Sequence, residues 1–375
     1  MSNKTSKIEQ LINELCPEGV EFRGLGEVLD YEQPTKYIVK SVKYDNDFNI
    51  PVLTAGKSFI LGYTNEDFGI YNADKNNPVI IFDDFTTSFH WVNFKFKVKS
   101  SAMKILKNKN QNVNFKYIYY AMNEIKYEPK DHARHWISKY SLLKIPLPPL
   151  PIQEEIVKIL DSFTELEAEL EVELETRKKQ YGFYRDELLT FGKDVEWKTL
   201  RETTNVFTGG EAPNNCIKGL NQTEKYKYPI YANGSEIYGY TDNYKIDKDA
   251  VTISSIGANT GTIYFRNAFF TPIIRLKVLI PKENNLLAKY LFYYLSSVKI
   301  DSKKSSVPNL NANDVKKIKI PLPPLKEQER IVAILDKFDA LVNDISVGLP
   351  AELNARRKQY EYYREKLLTF KEKEE

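Results

Sequence analysis

Ile145-Pro-Leu-Pro-Pro-Leu-Pro-Ile-Gln-Glu-Glu-Ile-Val157 is written twice in this chain of 375 residues; the second copy is Ile320-Pro-Leu-Pro-Pro-Leu-Lys-Glu-Gln-Glu-Arg-Ile-Val332. A match this long at half the chain length marks an internal duplication. Each copy stops whatever precedes it, because Pro148-Pro149 and Pro323-Pro324 lack N–H donors and restrain their neighbours. A helical pattern follows. Ile152, Ile156, Ile159, Phe163, Leu166, Leu170 and Leu174 step by threes and fours, and Ile331, Ile334, Phe338, Leu341, Ile345, Leu349 and Leu353 do the same. Both patterns close on nearly the same words, Arg177-Lys-Lys-Gln-Tyr-Gly-Phe-Tyr-Arg and Arg357-Lys-Gln-Tyr-Glu-Tyr-Tyr-Arg. Two helices of about 40 residues, each about 60 Å long, are expected, packing through Ile156, Phe163, Leu170, Leu174, Phe338, Ile345, Leu349 and Leu353. The second carries an extra four-residue step containing Gly348 and Pro350. This is either an added turn or, as the residues favour, an interruption with Pro350 opening a new segment.

Working outward, the lead-in Val20-Glu-Phe22 recurs as Val195-Glu-Trp197. The repeat is therefore a lead-in, a globular segment and a long helix. Asn77–Phe82 reads as a buried strand, Phe89–Val98 as strand, and Phe115–Met122 as helix. Ala55–Thr64 matches Ala232–Thr241, and Lys116-Tyr-Ile-Tyr-Tyr matches Lys289-Tyr-Leu-Phe-Tyr; between these patches the segments diverge. The fold class expected is a duplicated α/β (α+β) chain. Its parts are a lead-in (1–22), a first globular domain (23–143), a central long helix (144–194), a second domain (195–318) and a C-terminal long helix (319–375).

With 54 Lys and Arg against 51 Asp and Glu, the net charge is +3, which suits nucleic acid without demanding it. Two distant cysteines, Cys16 and Cys216, indicate a reduced compartment. No apolar run approaches membrane-spanning length and the N-terminus is polar, so a cytoplasmic protein is expected.

Catalytic motifs fail one by one. Gly56-Lys57-Ser58 lacks the first glycine of a phosphate loop, since Pro51 stands there. Asp83-Asp84 follows a strand as a nuclease acid pair would, but the clearest Glu-x-Lys, Glu196-Trp197-Lys198, belongs to the next lead-in. Asn77-Pro78-Val79 lacks the second proline of a methyltransferase motif, and His132 and His135 have no further ligand nearby. What remains is contact chemistry. Basic, hydrogen-bonding loops precede each long helix, around 131–144 and 303–311, and Gly257-Ala-Asn-Thr-Gly261 adds a flexible polar loop. Lys and Arg neutralise phosphates, while Asn, Ser, Arg and His bond base edges. The candidate DNA contacts are Lys36, Lys57, Ser58, Tyr63, Arg134, His135 and Lys139 in the first segment. In the second they are Asn233, Ser235, Tyr240, Asn259, Thr260, Lys303, Lys304, Ser305 and Asn309.

Two divergent domains, each followed by Ile-Pro-Leu-Pro-Pro-Leu and a helix ending Lys-Gln-Tyr-x-x-Tyr-Arg, resemble the specificity subunit of type I restriction–modification enzymes. Leu166-Glu-Ala-Glu-Leu-Glu-Val-Glu-Leu174 is similar to the subfamily with Ala-Glu-Leu steps in its central helix. The resemblance spans essentially the whole chain. It implies two target-recognition domains, each reading half of a split double-stranded DNA sequence, spaced by two antiparallel coiled-coil helices. It also implies docking of two modification subunits that bind S-adenosylmethionine and methylate adenine, and of restriction subunits that use ATP and Mg2+, with no catalysis, cofactor or metal in this chain and no membrane. The readings that compete with it are a self-sufficient methyltransferase or nuclease, and a coiled-coil scaffold that does not touch DNA.

Overall fold

A computed structural model describes residues 6–54, 58–131, 133–219, 221–298 and 310–374. The chain folds as two compact units. One comprises Met1–Glu169 with Asn354–Glu375, the other Leu170–Leu353. This grouping differs from a division at the repeat boundaries: it cuts the central helix and gives the C-terminal stretch to the first unit.

In the first unit, Ser6 caps α1 (Lys7–Leu15): its Oγ accepts from the Glu9 N–H and the Glu9 carboxylate accepts from the Ser6 N–H. The lead-in is β1 (Glu21–Gly24), followed by the one-turn helix α2 (Leu25–Val28). β2 (Leu29–Glu32), β3 (Ile50–Leu53), β4 (Ile60–Thr64), β5 (Val79–Asp83), β6 (Phe89–Val92), β7 (Lys97–Val98) and β8 (Met103–Asn108) build two sheets, ordered β2-β8-β5-β6 and β4-β3-β7. The strand expected over Phe89–Val98 is thus two strands, and they lie in different sheets. α3 (Phe115–Met122) matches its expected span. β9 (Lys144–Leu147) is the start of the duplicated motif and pairs with the lead-in, Arg23 opposite Ile145.

The long helix α4 (Leu150–Leu188) runs 39 residues without a break. Its first half buries Ile152, Ile156 and Leu160 in the first core. Phe163 lies against Tyr360 and Tyr363, with 5.5 Å between the ring centres of Phe163 and Tyr363. Residues 371–373 close this unit. Val20 donates to Lys371 and accepts from Lys373, both at 2.9 Å. Gly19, at φ +116°, leaves no room for a Cβ, which would stand 2.7 Å from the Lys371 carbonyl.

The second unit repeats the plan. β10 (Trp197–Thr199), α5 (Leu200–Thr203), β11 (Thr204–Thr208), β12 (Cys216–Lys218), β13 (Tyr228–Tyr231), β14 (Ile237–Thr241), β15 (Ala250–Ile253), β16 (Ile263–Arg266), β17 (Thr271–Pro272) and β18 (Lys277–Pro281) follow in order. They form sheets β11-β18-β15-β16 and β12-β14-β13-β17. Then come α6 (Ala288–Ser297), α7 (Ala312–Lys317) and β19 (Lys319–Pro321), which pairs with β10. Tyr181 and Tyr184 of α4 lie against Phe338 of α8 (Leu325–Asn343).

The second long helix is not continuous. It stops at Asn343, turns over 344–348 and restarts as α9 (Leu349–Leu368), with Pro350 in its first turn. A Cβ on Gly348 would stand 2.3 Å from the Ala340 carbonyl, so the turn closes only around glycine. This corrects Ile345 as a packing residue: it sits in the turn and is 84% exposed, whereas Leu349 and Leu353 are buried.

The contacts explain why the duplicated words are what they are. Gln153 is buried; its Nε2 donates to the Pro148 carbonyl at 2.7 Å and its Oε1 accepts from the Asn114 N–H at 2.9 Å. Gln328 repeats this with the Pro323 carbonyl and the Leu287 N–H, both at 2.9 Å. Carbonyls ahead of a helix need such donors when no water reaches them. Tyr117 and Tyr290 donate to the carbonyls of Pro146 and Pro321. Tyr120 with Lys116, and Tyr293 with Lys289, hold Asp161 and Asp336 on the two long helices.

Candidate nucleic-acid interface

In each unit one inner strand, β5 of the sheet β2-β8-β5-β6 and β15 of the sheet β11-β18-β15-β16, runs into two residues on which the surrounding loops converge. Register identifies the pair. Lys104 of β8 lies opposite Phe82, and Lys277 of β18 lies opposite Ile253. The residues that follow are Asp83-Asp84 in one unit and Ser254-Ser255 in the other.

In the first unit Asp84 is fully buried. Its N–H donates to Ala102, its carbonyl accepts from the His135 N–H and its Oδ1 accepts from the Trp136 N–H at 2.8 Å. Its Oδ2 lies 3.3 Å from Lys104 Nζ, an ion pair without hydrogen-bond geometry between two buried groups. Asp83 accepts from the N–H groups of Phe85 and Thr86 and from the Thr86 hydroxyl. Three loops, 85–88, 99–102 and 131–140, are thereby tied to one strand end. Both carboxylates are engaged inside the protein. Among the described residues no group of three His, Cys, Asp or Glu could hold a metal ion.

In the second unit the same position is built from hydroxyls. Ser254 Oγ donates to the Asn233 carbonyl, the Ser255 N–H to Asn233 Oδ1, and Ser255 Oγ to the Arg275 carbonyl. Asn233 Nδ2 donates to the Ile274 carbonyl, and the carbonyls of Ser254 and Ser255 accept from the N–H groups of Gly261 and Leu310. Arg266, mostly buried and lying 3.8 Å from the ring centre of Tyr231, donates to the carbonyls of Gly234 and Ser235. Burial pushes its pKa down, and the two tyrosines beside it push back.

The sequence candidates fall into four groups. Exposed and placed on the loops that converge at the strand ends are Arg134, Lys139, Ser235 and Asn259, with half-buried Thr260. Lys139 pairs with Asp131 at 3.1 Å. Away from the strand ends, Ser58 is exposed, Tyr63 is half-buried in β4, and exposed Lys36 pairs with Glu32. Burial would raise the Glu32 carboxyl, but hydrogen bonds from Lys107, Lys36 and Tyr37 bring it down to about 2.

His135, Tyr240 and Asn233 are positioned by the fold differently from the expectation. His135 is fully buried, with Nδ1 bonded to the Tyr127 hydroxyl and Nε2 to the Asp131 carbonyl. Tyr240 is buried within β14. Both ends of the Asn233 amide are spent inside the protein. His135 and Asn233 brace loops and Tyr240 is held in its strand, so none of the three offers a free group. Lys57, His132, Lys303, Lys304, Ser305 and Asn309 lie outside the described residues.

Ser254, Ser255, Arg266, Lys104 and Lys277 were missed. The signal for the first two was present: each pair directly follows a fully buried strand, but Asp-Asp and Ser-Ser share no letters to align.

The model of the type I restriction modification DNA specificity domain matches this chain twice, over residues 17–176 and 192–355. The type I restriction enzyme EcoR124I/EcoR124II specificity subunit of Escherichia coli is 45% identical over 94% of each chain. A putative type I restriction enzyme specificity subunit of Haemophilus influenzae is 30% identical over 99% of this chain and 100% of its own. Among solved structures, the S subunit of a type I restriction-modification system from M. genitalium superposes with a TM-score of 0.66 at 17% identity, covering 93% of this chain and 96% of that one. A chain from a study of complex assembly and conformational transition in a type I restriction–modification system gives 0.57 at 17%, covering 94% and 98%. At these identities the structural likeness concerns the fold.

Proposed function

The chain belongs to the type I restriction–modification DNA specificity family, and from that premise we propose that its two units each read one half of a split DNA sequence for a modification and restriction complex. The observation that carries this is the pair of strand ends. One frame gathers corresponding loops in both units, yet its side chains differ, so the same fold offers two different surfaces. A split, asymmetric site follows. Phosphate contacts from Lys and Arg hold each unit on the duplex, and side chains on the converging loops read base edges.

The chain is a specificity subunit and supplies contact rather than chemistry. In this reading two modification subunits dock beside the long helices and bring S-adenosylmethionine. Restriction subunits bring ATP and Mg2+. α4 acts as the ruler: four added residues lengthen it by about 6 Å, roughly two base pairs at about 3.4 Å each. Among the described residues no helix is long and apolar enough to cross a membrane.

The test is the methylome of a cell expressing this chain with its modification subunits. A split motif with methyladenine in each half and a fixed gap is expected. Insertion of Glu-Ala-Glu-Leu after Leu170 should widen that gap. An assembled complex that deposits no methyl groups, or a gap unchanged by the insertion, would sink the reading or its ruler respectively.

A further inference from the structure

The turn ahead of β18 in the second unit places two adjacent residues in a costly backbone conformation. Ile274 and Arg275, neither of them glycine, both adopt left-handed backbone, at φ +51° and +58°. Such backbone is costly for any residue with a side chain, and a β-branched residue is especially ill suited. The conformation persists because it is held at four points. The Ile274 N–H donates to Gly210 and the Arg275 N–H to Gly209. Asn233 Nδ2 grips the Ile274 carbonyl and Ser255 Oγ the Arg275 carbonyl. Gly209 is itself obligatory, since a Cβ there would lie 2.8 Å from the Ile273 backbone.

The turn presents an exposed arginine. Among the described residues no carboxylate pairs with its guanidinium. Its charge is felt by another cation: Lys277 is buried and bonds the Thr208 hydroxyl at 3.3 Å. Burial first, and Arg275 second, lower the pKa of Lys277. An exposed guanidinium with no carboxylate partner among the described residues is available to an external acceptor. In the first unit the corresponding turn is Lys99-Ser-Ser-Ala102, with no left-handed residue. The difference therefore lies where two recognition surfaces should differ.

We infer that Arg275 is a base-reading residue of the second unit, with guanine as its target. The inference rests on the DNA-reading function proposed above. A phosphate contact tolerates a mobile cation, because charge alone is recognised. Holding the backbone under strain is useful only where direction matters, and the arginine fork matches guanine O6 and N7 in the major groove. Adenine would call for Asn or Gln, and cytosine for a carboxylate.

The test uses the full chain with its modification subunits, carrying Arg275→Gly or Arg275→Lys. Glycine adopts the left-handed region freely, so Arg275→Gly should melt no lower than wild type. Both variants should lose discrimination at one guanine in one half-site, methylating duplexes with another base there at roughly 10- to 100-fold better relative rates, with the other half-site unchanged. A motif left intact by either variant overturns the assignment. So does uniform weakening at all sites with a shallower salt dependence, which marks a phosphate contact. If wild-type complex assembles yet yields no split motif, the functional reading fails and takes this inference with it. A split motif that keeps its guanine in the variants sinks this inference alone.

Discussion

The two units solve one problem with opposite chemistry. The first gathers its loops with Asp84 and neutralises that buried carboxylate with Lys104. The second gathers them with Ser254, Ser255 and Asn233, and leaves Lys277 with a hydroxyl for a partner. Around these centres the supports are alike: the glutamines on the proline carbonyls, the tyrosines on the long-helix aspartates, the lead-in paired with the motif strand. The units thus keep in common what holds the helices and vary what holds the loops. In a protein whose specificity depends on its loops, the braces must change with the surfaces they brace.

The comparison can be broken or sharpened by substitution. Replacing residues 23–143 by the corresponding segment of another specificity subunit should exchange one half of the methylated motif completely and leave the other untouched; sequencing the methylome would show both. Asp84→Ala strands a buried lysine, a loss of about 3–5 kcal/mol, whereas Ser255→Ala gives up one neutral hydrogen bond, about 1 kcal/mol. Urea unfolding would measure each, and similar losses would mean the two strand ends do not differ as described. Gln153→Ala and Gln328→Ala should each cost about 1–3 kcal/mol by orphaning a buried carbonyl and N–H, Gln328→Ala the more, because its Nε2 also donates to the Asn285 carbonyl at 2.8 Å.

The smallest effect is Lys277→Met, expected to be neutral or slightly stabilising near neutral pH. Burial depresses the pKa of Lys277, so its charge opposes folding fully below the folded-state value. As pH rises from that value towards the unfolded-state value of about 10.4, the unfolded chain holds the extra proton and wild-type stability increases. The advantage of methionine should shrink over that window in melting curves. Lys104→Met should show the reverse sign at neutral pH, since it leaves Asp84 buried without a cation.

Much of this architecture was legible. Proline pairs and apolar spacing marked where the helices begin, because those signals act locally. The buried strand at Val79–Asp83 and the helix at Phe115–Met122 were readable for the same reason. The break at 344–348 was signalled by Gly348 and Pro350, but Ile345 kept the apolar step and so appeared to be a seam residue. His135 and Asn233 look like surface groups in the sequence, since a hydrogen-bonding side chain has the same letter whether it faces DNA or a backbone carbonyl. The strand-end centres escaped because a carboxylate with a lysine and a pair of hydroxyls are alternative solutions with nothing in common to align.

The pairing of Val20 with the residues around Glu372 sets an order of events at the ribosome. The second unit is one unbroken stretch, Leu170–Leu353, and its whole sequence has been made before Asn354–Glu375 are added. The first unit needs Asn354–Glu375 to cover its core and to pair with Val20. The unit that is begun first therefore waits, incomplete, until Asn354–Glu375 have emerged, while its neighbour can already have closed. A chain released after Leu353 should carry a protease-resistant second unit and a first unit that is still open to cleavage.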